Sequence, residues 1–206
     1  MVQASQQRIG VFGGTFDPVH LGHLLMAEQA REQAHLDQVW FIPAASPPHK
    51  QGQQLTPFAQ RVEMLQLAIA GQPAFRINQL EKDRTGPSYT ADTLDELHRE
   101  NPDKELCLLI GSDCLPDLPH WHDPVRILRR AVLLVAPRPS WPMMSGEQLR
   151  ALLHLPAGVP LRLEVVEVPL LEMASRDLRR RAAEGRSLRY MVPRAVECYI
   201  REKHLY

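Results

Sequence analysis

The sequence predicts an α/β chain, a doubly wound parallel sheet with helices on both faces. Three observations carry this. Six short apolar runs alternate with segments of helical period. Several runs are nearly continuous in Val, Ile and Leu, as strands buried on both faces must be. Proline- and glycine-rich pieces follow the runs and read as loops. Such a sheet has right-handed crossovers. Its ligands bind outside the carboxyl ends of the strands, where strand order reverses.

The elements follow in order. Strands are expected at 8–13, 38–44, 75–81, 105–111, 131–137 and 161–169. The first helix, 21–34, has apolar positions at helical spacing. The second, 56–71, starts with Thr56 as N-cap and Pro57 at the first helical position, and ends at Gly71. A third runs from Thr90 to 101 and stops before Pro102. At 123–130, Asp123 and Pro124 repeat the cap-then-proline signal. Helices at 175–185 and 193–205 close the chain. The loops 43–57, 85–90, 111–124 and 136–146 all follow strands and should share the ligand side.

Length and charge narrow the class. The 206 residues suit one domain over 1–206, with 170–206 a C-terminal helical part. Lys plus Arg and Asp plus Glu number 24 each, so global charge draws the chain to neither nucleic acid nor membrane. Any anion site must be local. Cys107, Cys114 and Cys198 form no C-x-x-C pair, and Cys107 reads as a buried thiol. The N-terminal stretch is polar and no apolar run approaches a membrane span. A reduced cytoplasm is the expected setting.

The chemistry concentrates in "GGTFDPVHLGH", residues 13–23. Gly13 and Gly14 end the first strand and allow positive φ and close approach of a ligand to the backbone. The helix start that follows favours an anion. Neither G-x-G-x-x-G nor G-x-x-x-x-G-K-[ST] is present. Instead His20 and His23, at i and i+3, share one face beside the unpaired amides. Two imidazoles can donate to phosphate oxygens, more strongly if protonated. Gly22 between them admits a close neighbour. A zinc reading lacks a third nearby ligand and any H-E-x-x-H pattern. Two ordinary polar residues at a helix start are the plainest alternative.

This stretch, with His20-Leu21-Gly22-His23 as its H-x-G-H element, resembles the signature of the nucleotidylyltransferase superfamily, which has a Rossmann-like fold. Further segments occur in order along nearly the whole chain: "IPAASPPHK" (42–50), "GPSYTADTL" (86–94), "LLIGSD" (108–113), "LPHWHD" (118–123), "VAPRP" (135–139) and "SLRYMVPRAVECYI" (187–200). Together they resemble the bacterial nicotinate mononucleotide adenylyltransferase family. The resemblance implies AMP transfer from ATP to nicotinate mononucleotide, giving deamido-NAD and pyrophosphate. It implies direct in-line attack without a covalent intermediate, and Mg²⁺ carried by the ATP phosphates rather than by a protein ligand set.

The resemblance also assigns residues. His20, His23 and Thr15 are the candidate catalytic groups. Gly13, Gly14, Thr15, His20, His23, Gly111, Asp113, Ser175 and Arg176 are candidates for ATP. Lys50, His49, Tyr89, Thr90, Trp121 and Arg138 are candidates for nicotinate mononucleotide. Trp121 offers a face for the pyridine ring, though a core tryptophan reads the same way. Thr90 at a helix start can hold a carboxylate or simply cap. Lys50, His49 and Arg138 suit phosphate, or are solvated charges. Asp113 suits a ribose hydroxyl or a metal-bound water, or caps a helix. One departure stands out: Ala174 occupies the family's usual serine position, while Ser175 and Arg176 remain. Arg179, Arg180 and Arg181 read as a mostly solvated face. Other acceptors within the superfamily, and an ATP- or NAD-sensing regulator without turnover, remain the rival readings.

Overall fold

The structure is a computed structural model and describes residues 6–50, 52, 54–169 and 171–206. Residues 1–5 of the polar N-terminal stretch, 51 and 53 of the expected loop 43–57, and residue 170 at the start of the expected C-terminal part lie outside the described residues.

Six parallel strands form one sheet: β1 (Arg8–Gly14), β2 (Gln38–Pro43), β3 (Phe75–Ile77), β4 (Glu105–Gly111), β5 (Ala131–Ala136) and β6 (Leu163–Val165). Their order is β3-β2-β1-β4-β5-β6. The chain steps outward from β1 to β3, then returns to the far side of β1. The reversal between β1 and β4 is the switch point expected of a doubly wound sheet. Registers run Val11 to Trp40 on one side of β1 and Ile9 to Leu106 on the other.

Alternation along the strands builds two cores, because neighbouring side chains point to opposite faces. On one face Phe12, Cys107, Leu109, Val132 and Leu134 pack with residues of α1 (Leu21–Gln33), α2 (Phe58–Ile69), α6 (Ser175–Ala183) and α7 (Arg194–Glu202). On the other, Ile9, Val11, Leu106, Leu108, Leu133 and Val135 pack with α3 (Thr90–Glu100), α4 (Pro124–Arg130) and α5 (Gly146–Leu152). Burial pushes the Cys107 thiol up to about 12, an inert buried thiol as expected. Among the described residues no helix is long and apolar enough to cross a membrane.

Several expectations need correction. The third and sixth strands are three residues each, because only 75–77 and 163–165 find a neighbour to pair with. Helix α2 begins at Phe58 with Pro57 as its N-cap and no side-chain cap. Thr56 is instead held by its backbone, its N–H on Asp17 Oδ2 and its carbonyl under Arg61 Nε. Helix α5 was not foreseen beyond the Pro-rich loop. Its signal is Ser145-Gly-Glu-Gln148, a reciprocal capping box. The Asp123-Pro124 signal does hold: Asp123 accepts from Arg126 N–H and Pro124 opens α4.

Candidate active site

A cleft of about 780 Å³ opens at the carboxyl ends of the strands. The expected loops converge on it. Gly13, Gly14 and Thr15 come from the end of β1; Ala44 to Lys50 follow β2; Ser88 to Thr90 lead into α3; Gly111 to His122 follow β4; Arg138 follows β5. Twelve of the fifteen candidate residues line it: Gly13, Gly14, Thr15, His23, His49, Lys50, Tyr89, Thr90, Gly111, Asp113, Trp121 and Arg138. The other three are His20, Ser175 and Arg176. His20 is 2 % exposed and lies behind His23. The Ser175 hydroxyl donates to the Pro18 carbonyl at 2.9 Å. The Arg176 side chain is 83 % exposed, and its nearest ion-pair partner is Asp177, 4.0 Å away.

The histidine pair has a definite local geometry. His20 is the N-cap of α1, and the two residues cap each other. His23 N–H donates to His20 Nδ1 at 3.3 Å, and His20 N–H donates to His23 Nδ1 at 3.2 Å. Each Nδ1 accepts, so each ring proton sits on Nε2, leaving two N–H donors. The rings stack at 3.6 Å with a 19° tilt. Phe12 and Phe16 set their edges against His23 and hold it.

Electrostatics keep this pair neutral. Burial first, and then the Arg138 charge, lowers the His20 imidazole to about 4. Burial, His20, Arg138 and Lys50 hold His23 well below the usual imidazole range. The protonation that would strengthen donation to phosphate is therefore resisted until an anion offsets desolvation and repulsion.

The glycines act through space rather than through φ. Gly13 and Gly14 are the last residues of an extended strand; the positive φ in this turn belongs to Phe16, at 49°. A Cβ on Gly14 would lie 2.9 Å from the Phe16 ring, whereas Gly13 faces open cleft. Gly22 has a similar explanation. Its close neighbour is the His20 ring itself, 3.1 Å from where a Cβ would stand. Gly111 admits the Asp113 carboxylate and the Arg138 side chain.

Cations gather at one end. Lys50 is held below its ordinary value by burial and by the Arg179 charge, with Asp17 opposing. Arg138 has its Nε 3.8 Å from Asp113 Oδ1 and without a hydrogen-bond partner. Its backbone N–H donates to Ser112 Oγ at 2.9 Å, and that hydroxyl donates to the Trp141 carbonyl, which fixes the loop. At the other end Tyr89 stacks on His122 at 4.3 Å. Trp121 is half-buried; it packs against the second core and also lines the cleft, so both readings of it apply.

Sequence reasoning missed the groups that hold the loops. Arg61 is 1 % exposed. Its guanidinium donates to the carbonyls of Thr15 (2.7 Å), Ala44 (2.9 Å) and Thr56 (2.9 Å). The available signal was an arginine inside the apolar stripe of α2. Asp17, also buried, accepts the Tyr206 hydroxyl at 2.6 Å, and its carbonyl accepts from Arg179 at 2.6 Å. Arg179, expected in solvent, is thus tied to the signature loop.

This arrangement can bind a phosphate chain at a cationic, amide-lined end and a flat ring at the Trp121 end. The cytidylyltransferase-like family model matches residues 11–177. A probable nicotinate-nucleotide adenylyltransferase of Thermomicrobium roseum is 48 % identical over 97 % of this chain and 91 % of its own. Another, from Thermus thermophilus, is 45 % identical over 97 % and 99 %. A solved Plasmodium falciparum nicotinic acid mononucleotide adenylyltransferase complexed with NaAD aligns with a TM-score of 0.81, covering 97 % of each chain. At 17 % identity that last likeness speaks for the fold alone.

Proposed function

The chain belongs to the cytidylyltransferase-like family and, within it, to the nicotinate-nucleotide adenylyltransferases, and from that membership we infer its reaction. It is a nucleotidyltransferase that moves AMP from ATP to nicotinate mononucleotide, giving deamido-NAD and pyrophosphate in NAD biosynthesis. The observation that carries this is near-full-length identity of 48 % to such an enzyme.

In the mechanism we propose, ATP lies over Gly13 and Gly14 and the start of α1. The acceptor phosphate sits near Lys50 and Arg138, and its ring lies against Trp121 with the carboxylate at Thr90. One acceptor oxygen attacks the α-phosphorus in line; the bond to pyrophosphate breaks. An acceptor phosphate is already ionised at neutral pH, so no general base and no covalent intermediate are needed. Rate comes from alignment and from charge stabilisation. In this reading His23 donates its Nε2–H to that charge from the cleft wall and His20, stacked behind it, supports it from the same face, with Thr15 and backbone amides beside them.

The triphosphate would carry a divalent ion, Mg²⁺ in this reading, which would offset its charge. Among the described residues no group of three or more His, Cys, Asp or Glu is placed to hold an ion. The cleft does offer Asp113, whose carboxylate can orient a metal-bound water. Ser175 and Arg176 lie outside the cleft lining; in this reading the exposed Arg176, at the start of α6, holds triphosphate or pyrophosphate charge. The test is an acceptor panel with α-labelled ATP. Labelled deamido-NAD from nicotinate mononucleotide, in preference to other phosphate acceptors, is expected. Preferential labelling of a different acceptor, or ATP binding without pyrophosphate release, overturns the reading.

A further inference from the structure

One acidic side chain of the cleft wall has no part in that mechanism. Glu81 follows β3, is 5 % exposed, and lines the cleft with Tyr89, Thr90 and Thr93. Its Oε1 accepts the Thr93 hydroxyl at 2.5 Å. Its Oε2 is buried with no partner among the described residues. The Thr93 oxygen also accepts from Arg84 Nη1 at 2.8 Å, and Arg84 Nη2 donates to Glu96 Oε2 at 2.7 Å. Arg84 Nη1 stands 3.9 Å from Glu81 Oε1. Arg84 thus serves two glutamates, and Arg99 Nη2 stands 3.8 Å from Glu96 Oε1 on the exposed side, so the negative charge that faces the cleft is that of Glu81, with Arg84 3.9 Å away. A buried carboxylate oxygen without a partner is costly. Kept in a binding cleft, it calls for a ligand group of positive charge.

We propose that Glu81 is the counter-charge to the acceptor's ring, an inference that rests on nicotinate mononucleotide being the acceptor. In that nucleotide the ring nitrogen is bonded to ribose and is a quaternary pyridinium. The ring is therefore a cation, while its carboxyl substituent is an anion. The two ends of the cleft match the two ends of the nucleotide. Lys50 and Arg138 stand where phosphate belongs, and Glu81 places a negative charge at the ring end. Trp121, which also lines the cleft, presents a face that attracts cations. The ring's own carboxylate goes to the unpaired N–H groups that open α3. Thr93 lies one turn beyond Thr90 on the same helix face, so its bond to Glu81 sets the Glu81 charge away from that anion. Glu81 accordingly selects for ring charge, and Thr90 for the ring substituent.

The test measures affinity for nicotinate mononucleotide and for a neutral isostere, the carbon-linked 3-carboxyphenyl ribotide. Wild type is compared with Glu81→Gln and Glu96→Gln. Glutamine keeps an acceptor for Thr93 and removes the charge. Wild type should prefer the pyridinium by about tenfold, the scale of one charge pair in a partly buried site. Glu81→Gln should lose that preference while KM for ATP stays within about twofold. Glu96→Gln, on the solvent side of Arg84, should lower the preference a few-fold, because Arg84 then turns to Glu81 alone. An unchanged preference in Glu81→Gln, or equal weakening of both ligands, overturns the proposal. If Glu81→Gln does not fold, Glu96→Gln decides, and an unchanged preference there overturns it. A wild type that turns over nicotinate mononucleotide without preferring the cation sinks this inference alone. A wild type that makes no dinucleotide sinks the functional reading with it.

Discussion

At the residue scale, the two histidines are fixed by each other. Reciprocal backbone bonds set both tautomers, and stacking at 3.6 Å sets their spacing. His23→Ala should lower turnover about 10²-fold, the loss expected for one transition-state donor, with acceptor KM little changed. Steady-state kinetics on the folded variant check this; wild-type turnover would remove His23 from the mechanism. Gly22→Ala separates chemistry from stability. Its Cβ would press on the His20 ring, which is buried and stacked and has nowhere to go. Alanine favours the helix by up to about 1 kcal/mol, which offsets part of that strain. Turnover should therefore fall about tenfold or more, as a displaced donor pair predicts, while the melting temperature moves only a few degrees. Loss of stability with full activity would contradict the assignment of Gly22 to ring packing.

At the element scale, the site is a set of loops held from beneath. Arg61 reaches out of α2 to three carbonyls, one after β1, one after β2 and one just before its own helix. No lysine has the planar fork to reach all three. Arg61→Met leaves three part-buried acceptors without this partner and should cost about 3 kcal/mol. Urea unfolding measures it; a change under 1 kcal/mol would mean the loops hold themselves. This support was hard to read in the sequence, since a buried arginine looks like an ordinary break in an apolar stripe. Helix α5 was missed for a different reason. It is seven residues long and follows a proline-rich stretch, so periodicity had too little length to register.

At the scale of the whole molecule, burying two neutral imidazoles makes the fold acid-sensitive. Unfolded, His20 titrates near its ordinary 6.5; folded, near 4. Between those values the unfolded chain binds a proton that the folded chain refuses. Stability is therefore complete above about pH 6.5 and is lost as pH falls toward 4. His20 alone accounts for about 2 kcal/mol by pH 5, and His23 adds in the same direction. Urea midpoints at pH 7 and pH 5 for wild type and His20→Asn test this. The asparagine variant should show a smaller drop; an equal drop would place the sensitivity elsewhere.

The sequence by itself determined the strand–helix alternation, the parallel sheet, the face-sharing histidines and the loops that meet at the site. These depend on local period, on cap and proline signals and on the i, i+3 spacing, all written in neighbouring residues. Only the tertiary structure decided the histidines' charge state, the anchoring of the signature loop by Arg61, Arg179 and Tyr206, and the unpartnered oxygen of Glu81. Each of these depends on burial and on atoms brought together from distant parts of the chain, and desolvation has no signature in local spacing. The placement of Arg176 in solvent belongs with them: which way a charged side chain turns is set by what packs around it, not by the order of residues.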